Sequence, residues 1–104
     1  MVDFYADWCS PCRAIAPVFS KFADDHAVQG RLAFAKVNVD HVKGVAQKYG
    51  ITAMPTFLFF EDGKPTTIKI ERKGAEESIE QVRGADVALL RNVVQTLAKR
   101  VGSS

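Results

Sequence analysis

The sequence predicts an α/β domain built around a central sheet, and three observations carry that expectation. A short apolar run, Val2 to Ala6, leads through a cysteine pair into a segment of helical period and then into a second apolar run, Leu32 to Val39. That succession is the pattern of a βαβ unit. Asp62-Gly63 follows a third apolar run and marks a hairpin turn. A final amphipathic stretch behind Asp86 predicts a C-terminal helix.

Val2 to Ala6 is apolar apart from Asp3 and reads as a strand buried on both faces, in the middle of a sheet. WCSPC comes next, where Ser10 suits a helix cap and Pro11 the first helical position, its missing N–H being no loss there. Ile15, Val18, Phe19 and Phe22 repeat at helical spacing to about Asp25, with Pro17 expected to kink the helix and Gly30 beyond its end. Leu32 to Val39, broken only by Lys36 and Asn38, reads as a second buried strand parallel to the first. Val42 to Tyr49 is expected to be a short helix stopped by Gly50, and Thr56 to Phe60 a strand running into the turn. A returning strand is expected near Thr66 to Glu71. Val87, Leu90, Val94, Leu97 and Val101 then follow the 3.6-residue period behind the N-cap Asp86, and Gly102-Ser103-Ser104 is expected to fray.

The 104 residues are 47% hydrophobic and 25% charged, as in ordinary globular domains, and contain no linker or repeat, so one domain spanning 1–104 is expected. A chain of this size hides roughly two-thirds of its extended surface on folding, enough for a core without cross-links. Cys9 and Cys12 are the only cysteines, and a bond between them closes too small a loop to constrain the unfolded chain. The pair is therefore read as chemical rather than structural. The formal charge of +2 comes from interspersed Lys, Arg, Asp and Glu, which gives no footprint for nucleic acid. No apolar run reaches the length of a membrane span, and the start MVDFYADW has no basic region or long apolar stretch of a leader. A reducing, cytoplasmic setting is the default expectation.

A thiol must become a thiolate to attack a disulfide, and a helix N-terminus supplies unpaired N–H donors and a positive dipole end that stabilise one. Cys9 stands where that help is greatest. Cys12, one turn on, is placed to attack a mixed disulfide formed on Cys9 and to release the reduced product. The alternative is half of a zinc site, for which the chain offers only His26 and His41 besides.

The run VDFYADWCSPC, then VNVD, then AMPT after YGI, and later RGAD, resembles the thioredoxin family, particularly thioredoxin-like proteins of fungal type. The resemblance covers Met1 to about Gly63 and Arg83 to Val101. It implies a thioredoxin fold, a central mixed β-sheet flanked by helices, with Cys9 the exposed attacking thiol and Cys12 the buried resolving one. It casts Asp3 as the buried carboxylate that exchanges a proton with Cys12, through water, and Lys36 as that carboxylate's buried partner. Burial would raise the pKa of Asp3 toward a useful range. An Asp3 satisfied by backbone donors or by Lys36 is the structural alternative. The resemblance further implies that Trp8 is an exposed platform for a peptide, its indole bonded by Asp40. It makes the Met54-Pro55 bond cis and turned toward the disulfide, leaving the backbone of Met54 free to pair with a substrate strand. Ser10, Pro11 and Thr56 complete that surface, and Arg83, Gly84 and Ala85 match its other wall.

The sequence also departs from the family. Ser10 replaces the usual glycine and adds a hydroxyl able to bond a cysteine sulfur. Twenty residues, KPTTIKIERKGAEESIEQVR, separate Gly63 from Gly84, where relatives have a shorter return strand. Thr66 to Glu71 and Ile79 to Arg83 are read there as an enlarged β-hairpin region with a bend at Gly74. The start at VDFY leaves no room for the family's first strand and helix, so an N-terminally truncated fold is expected, with Leu32 to Val39 an edge guarded only by Arg31, Lys36 and Asn38. Such an edge would bring lower stability, self-association, or capture by the inserted Lys64 to Val82 segment.

The function implied is protein disulfide reduction through the CxxC dithiol. Disulfide-containing proteins would be substrates, thioredoxin reductase would supply electrons from NADPH, and no bound cofactor is implied. Two rivals stand beside it. One is a disulfide oxidase or isomerase, disfavoured by proline rather than histidine before Cys12; the other is a redox-impaired module kept for binding.

Overall fold

The computed structural model describes residues 1–42 and 44–102. Lys43, which falls in the expected second helix, and Ser103 and Ser104 of the expected frayed tail lie outside the described residues. In order, the elements are β1 (Val2–Tyr5), α1 (Ser10–His26), β2 (Ala35–Asn38), α2 (Val45–Lys48), β3 (Thr56–Leu58), β4 (Phe60–Glu61), β5 (Lys64–Pro65), β6 (Ile68–Arg72), β7 (Ala75–Ile79), β8 (Gln81–Arg83) and α3 (Val87–Arg100).

The central sheet has the order β2-β1-β3-β8. β1 and β2 run parallel across α1, as the βαβ pattern predicts, and β3 is antiparallel to both β1 and β8. The sheet is therefore mixed. The register sets Lys36, Asp3, Phe57 and Val82 side by side across the four strands, so these side chains share one face. α1 covers that face: the Phe19 ring lies 5.6 Å from Phe57, and Ile15, Phe19, Phe57, Val82, Leu90, Val93 and Val94 form the core with α3. On the opposite face Phe4 meets Tyr49, which also packs edge-on against Phe60 at 5.4 Å.

Several boundaries differ from the sequence expectation, each for a tertiary reason. The second strand is not a buried Leu32 to Val39 run. It is Ala35–Asn38 at the sheet edge, with Ala35 and Lys36 exposed, while Leu32 belongs to an isolated bridge with Val28. The second helix is only Val45–Lys48. The expected Thr56 to Phe60 strand breaks at Phe59, because beyond Leu58 the chain leaves β8 and pairs with β5 instead.

The two hairpin turns are made as their residues dictate. Asp62 and Gly63 have φ of 54° and 78°, and Lys73 and Gly74 have 55° and 78°; two successive positive φ values are what a two-residue hairpin turn needs. The returning strand begins at Ile68 rather than Thr66, and its partner β7 arises from Ala75 to Ile79, residues poor in β-formers. Ile68 and Ile70 point inward and are 1% and 2% exposed, so the inserted hairpin is seated on the core through β6 and α3. The inserted segment does not capture the edge at β2, contrary to one of the three expected outcomes. Its strands pair with β4, with each other and with β3. Asp86 caps α3 as expected, its carboxylate accepting the Leu89 N–H at 3.0 Å.

Candidate active site

The site forms where β1 hands over to α1. Cys9, not Ser10, is the N-cap residue: its backbone is extended and its Sγ accepts the Cys12 N–H at 3.2 Å. Ser10 and Pro11 therefore occupy the first two helical positions, where the missing proline N–H leaves no bond unmade. The sulfur thus takes the place an aspartate or serine oxygen fills in an ordinary cap, so a thiolate there would receive an N–H bond together with the positive end of a 17-residue helix. Cys9 and Cys12 are joined as a disulfide. The expected exposure of Cys9 is not observed, since both cysteines are 3% exposed, packed with Ala6 and flanked by Tyr5, Val39 and Met54. The reason is the cap itself, which turns the Cys9 side chain back over the helix end, 3.4 Å from the Met54 carbonyl oxygen.

That carbonyl is presented by the loop before β3. The Met54-Pro55 bond is cis, as the resemblance implies, and the Pro55 carbonyl accepts the Gly84 N–H at 2.8 Å. Thr56 is buried, and its hydroxyl donates to the Ala53 carbonyl at 2.6 Å. Arg83 pairs with Thr56 across β3 and β8, with Arg83 and Ala85 exposed and Gly84 half-buried. Met54 thus borders the disulfide, and Pro55, Thr56, Arg83, Gly84 and Ala85 continue from it through the Pro55–Gly84 bond and the Thr56–Arg83 pairing. Trp8 immediately precedes Cys9; it is 66% exposed, and its indole N–H donates to Asp40 at 2.9 Å. Ser10 and Pro11 are exposed, and the Ser10 hydroxyl accepts from Arg13 at 3.0 Å rather than bonding a cysteine sulfur.

Asp3 is 1% exposed, and neither of its oxygens has a hydrogen-bond partner, so the reading of it as a carboxylate satisfied by donors is overturned. Its place beside Phe57 puts it under the face of α1 that carries Cys12, Ile15 and Phe19. Burial pushes its pKa up to about 6, against the opposing pull of the Lys36 charge. Lys36 is Asp3's neighbour in the register, but it is not the buried partner expected. It is exposed, and its ammonium lies 4.5 Å from the Tyr5 ring centre. Edge-strand position explains this: among the described residues no strand pairs with β2 on its outer side, so the long side chain runs over Tyr5 and keeps its head in water.

Asp7, Arg13 and Asn38 belong to the neighbourhood, and the sequence reading gives none of them a role at the site, Asn38 being read only as a guard of the strand edge. Arg13 donates to the Asp7 carbonyl, and the Asn38 amide donates to the Asp7 carboxylate at 3.1 Å. A polar Asn at the end of an otherwise apolar strand was the available signal. Among the described residues, no three His, Cys, Asp or Glu side chains gather as metal ligands, and no helix is long and apolar enough to cross a membrane.

The family model for thioredoxin matches residues 1–84, a stretch that holds the disulfide, the cis proline and Arg83-Gly84. The chain belongs to the thioredoxin family. A thioredoxin-like protein of Fusarium culmorum is 58% identical over 78 residues, which are 73% of this chain and 64% of that protein. The thioredoxin of Neurospora crassa is 44% identical over 99 residues, covering 95% of this chain and 72% of that one. Among solved structures, the reduced thioredoxin pre-protein of Schistosoma mansoni superposes with a TM-score of 0.68 at 33% identity, over 92% of this chain and 75% of that chain. The chain thus spans under two-thirds of the Fusarium relative's length. With family and geometry together, the thioredoxin fold expected from the motifs is present, and the enlarged hairpin is seated within it.

Proposed function

We propose that this thioredoxin-family chain is a protein disulfide reductase working by thiol–disulfide exchange. The observation that carries this is the Cys9–Cys12 pair at the mouth of α1, with the Cys9 sulfur as acceptor of the helix-capping bond. In the dithiol form the Cys9 thiolate attacks a substrate disulfide, forming a mixed disulfide and expelling one substrate thiolate, which is protonated. The Cys12 thiolate then attacks the Cys9 sulfur, releases the second substrate thiolate and leaves the Cys9–Cys12 disulfide seen here. Two electrons pass to the substrate in all. Asp3 takes the proton from Cys12, through water, in the second step; its buried position under α1 and raised pKa support that role. Lys36, exposed at the edge, acts on Asp3 only as a nearby positive charge.

Trp8, Ser10, Pro11, Met54, Arg83, Gly84 and Ala85 form the docking surface for a polypeptide carrying the disulfide, with buried Pro55 and Thr56 bracing it through their bonds to Gly84 and Ala53. Thioredoxin reductase returns the disulfide to the dithiol in a reducing, cytoplasmic setting. The outer edge of β2 offers a second copy of the chain a strand to pair with.

Turbidimetric insulin reduction driven by dithiothreitol tests the reading. The wild type is expected to accelerate it, Cys9→Ser to abolish the acceleration, and Cys12→Ser to trap a mixed disulfide. Wild-type turnover in Cys9→Ser would sink the mechanism, and an inactive wild type would leave the binding-module reading.

A further inference from the structure

Trp8 presents two-thirds of its surface to solvent, so packing does little to fix its ring. Its orientation depends on the polar anchor, the 2.9 Å bond from the indole N–H to Asp40. Asp40 is itself exposed and lies in the turn after β2. What holds it is Asn38, 7% exposed at the end of β2, whose Oδ1 accepts the Asp40 backbone N–H at 2.9 Å. The other end of the same amide, Nδ2, donates to the Asp7 carboxylate at 3.1 Å. Asp7 precedes Trp8 in the chain, so the bonds close a ring: Trp8 to Asp40, Asp40 to Asn38, Asn38 to Asp7, and Asp7 by the peptide bond back to Trp8.

The orientation of the amide follows from its partners, since a backbone N–H demands an acceptor and a carboxylate a donor. The planar amide supplies both, an acceptor at Oδ1 and a donor at Nδ2, and so closes this ring. An aspartate of the same shape would satisfy Asp40 but would set a second carboxylate against Asp7. Asn38 contacts none of the reacting sulfurs. We infer that Asn38 is a positioning residue, which holds Trp8 in place as a platform for polypeptide disulfide substrates by joining the two chain segments that flank the indole. This rests on the disulfide-reductase reading for its consequence in catalysis, and on the hydrogen bonds alone for its consequence on Trp8.

Trp8 is the only tryptophan of the chain, so its fluorescence reports on this ring without interference. Asn38→Asp is expected to lower the anisotropy of Trp8 in the reduced protein and to raise the KM for insulin about fivefold, the worth of one hydrogen bond. The rate of Cys9–Cys12 reduction by dithiothreitol, a reagent too small to use the platform, is the internal reference, and the insulin effect is expected to exceed the change in it. The swapped double variant Asp7→Asn/Asn38→Asp restores one donor and one acceptor across the same gap, and is expected to recover both anisotropy and KM. Asp7→Ala removes the acceptor at an exposed position that cannot unfold the core, and is expected to lower anisotropy in the same direction. Unchanged anisotropy in Asp7→Ala or Asn38→Asp, or a double variant as mobile as the single, would overturn the proposal. Because anisotropy needs no turnover, an inactive wild type would remove the reductase reading while leaving the role of Asn38 on Trp8 to be decided by fluorescence.

Discussion

Asp3 sits between Lys36 and Phe57 in the sheet with both oxygens unbonded, and an ionised carboxylate without donors is expensive to bury. Its pKa of about 6, against the ordinary 3.8, makes this a statement about stability. Below the ordinary value the group is protonated in both folded and unfolded chains, and nothing is lost. Between that value and about 6 the unfolded chain has released the proton while the folded protein keeps it, so stability falls across this window and is level above it. That difference corresponds to about 3 kcal/mol. Asp3→Asn is therefore expected to be more stable than wild type at pH 7 by about 2 to 3 kcal/mol, and to lose the decline between pH 4 and 6. Urea midpoints at a series of pH values measure both. In the exchange cycle the same variant should slow release of product more than formation of the mixed disulfide, read by acid-quenched time points. Equal rates would leave Asp3 a structural residue.

At the level of elements, the β6–β7 hairpin joins two kinds of residue. Its exposed side carries Lys69, Glu71, Glu76 and Ser78, with Lys69 4.0 Å from Glu76, and such exposed pairs contribute little. Its inward side carries Ile68 and Ile70, fully enclosed with α3, and Asn92 of α3 donates to the Glu71 carbonyl at 2.8 Å. The hairpin is thus part of the core. Ile70→Ala is expected to destabilise the protein by about 3 kcal/mol, in the range for a truncated buried isoleucine, and Lys69→Ala by less than about 0.5 kcal/mol. Chemical denaturation of the two variants decides it: a loss under about 1 kcal/mol for Ile70→Ala would make the hairpin an appendage rather than a support.

For the whole molecule the open edge matters most. The Ala35 N–H bonds Met1 and the Val39 N–H bonds Tyr5, so the alternation along β2 turns the N–H groups of Lys36 and Asn38 outward. The guard expected of Arg31, Lys36 and Asn38 is thin: Arg31 donates to the Val101 carbonyl, and the Asn38 side chain is spent on Asp7 and Asp40. Light scattering over a concentration series is expected to show self-association, and hydrogen exchange at Lys36 to slow as concentration rises. Lys36→Pro removes an outward donor without touching the ladder to β1, and should keep the protein monomeric. A wild type that scatters as a monomer at every concentration would defeat the idea.

The residues by themselves determined the parts that rest on local chemistry. A βαβ unit follows from two apolar runs around a helical period, the hairpin from Asp62-Gly63, the last helix from Asp86, and the redox pair from two cysteines one turn apart at a helix start. These depend on near neighbours, which a chain displays in order. What packing between distant segments decides was not legible. Whether Cys9 is covered depends on Met54, 45 positions away; whether Lys36 reaches Asp3 depends on what lies outside β2; and Glu76 and Glu77 become strand only because Ile68 and Ile70 need a partner against α3. The role of Asn38 is hidden for the same reason: its bond to Asp7 reaches back 31 residues, and only the folded chain brings Asp7 within reach of its amide.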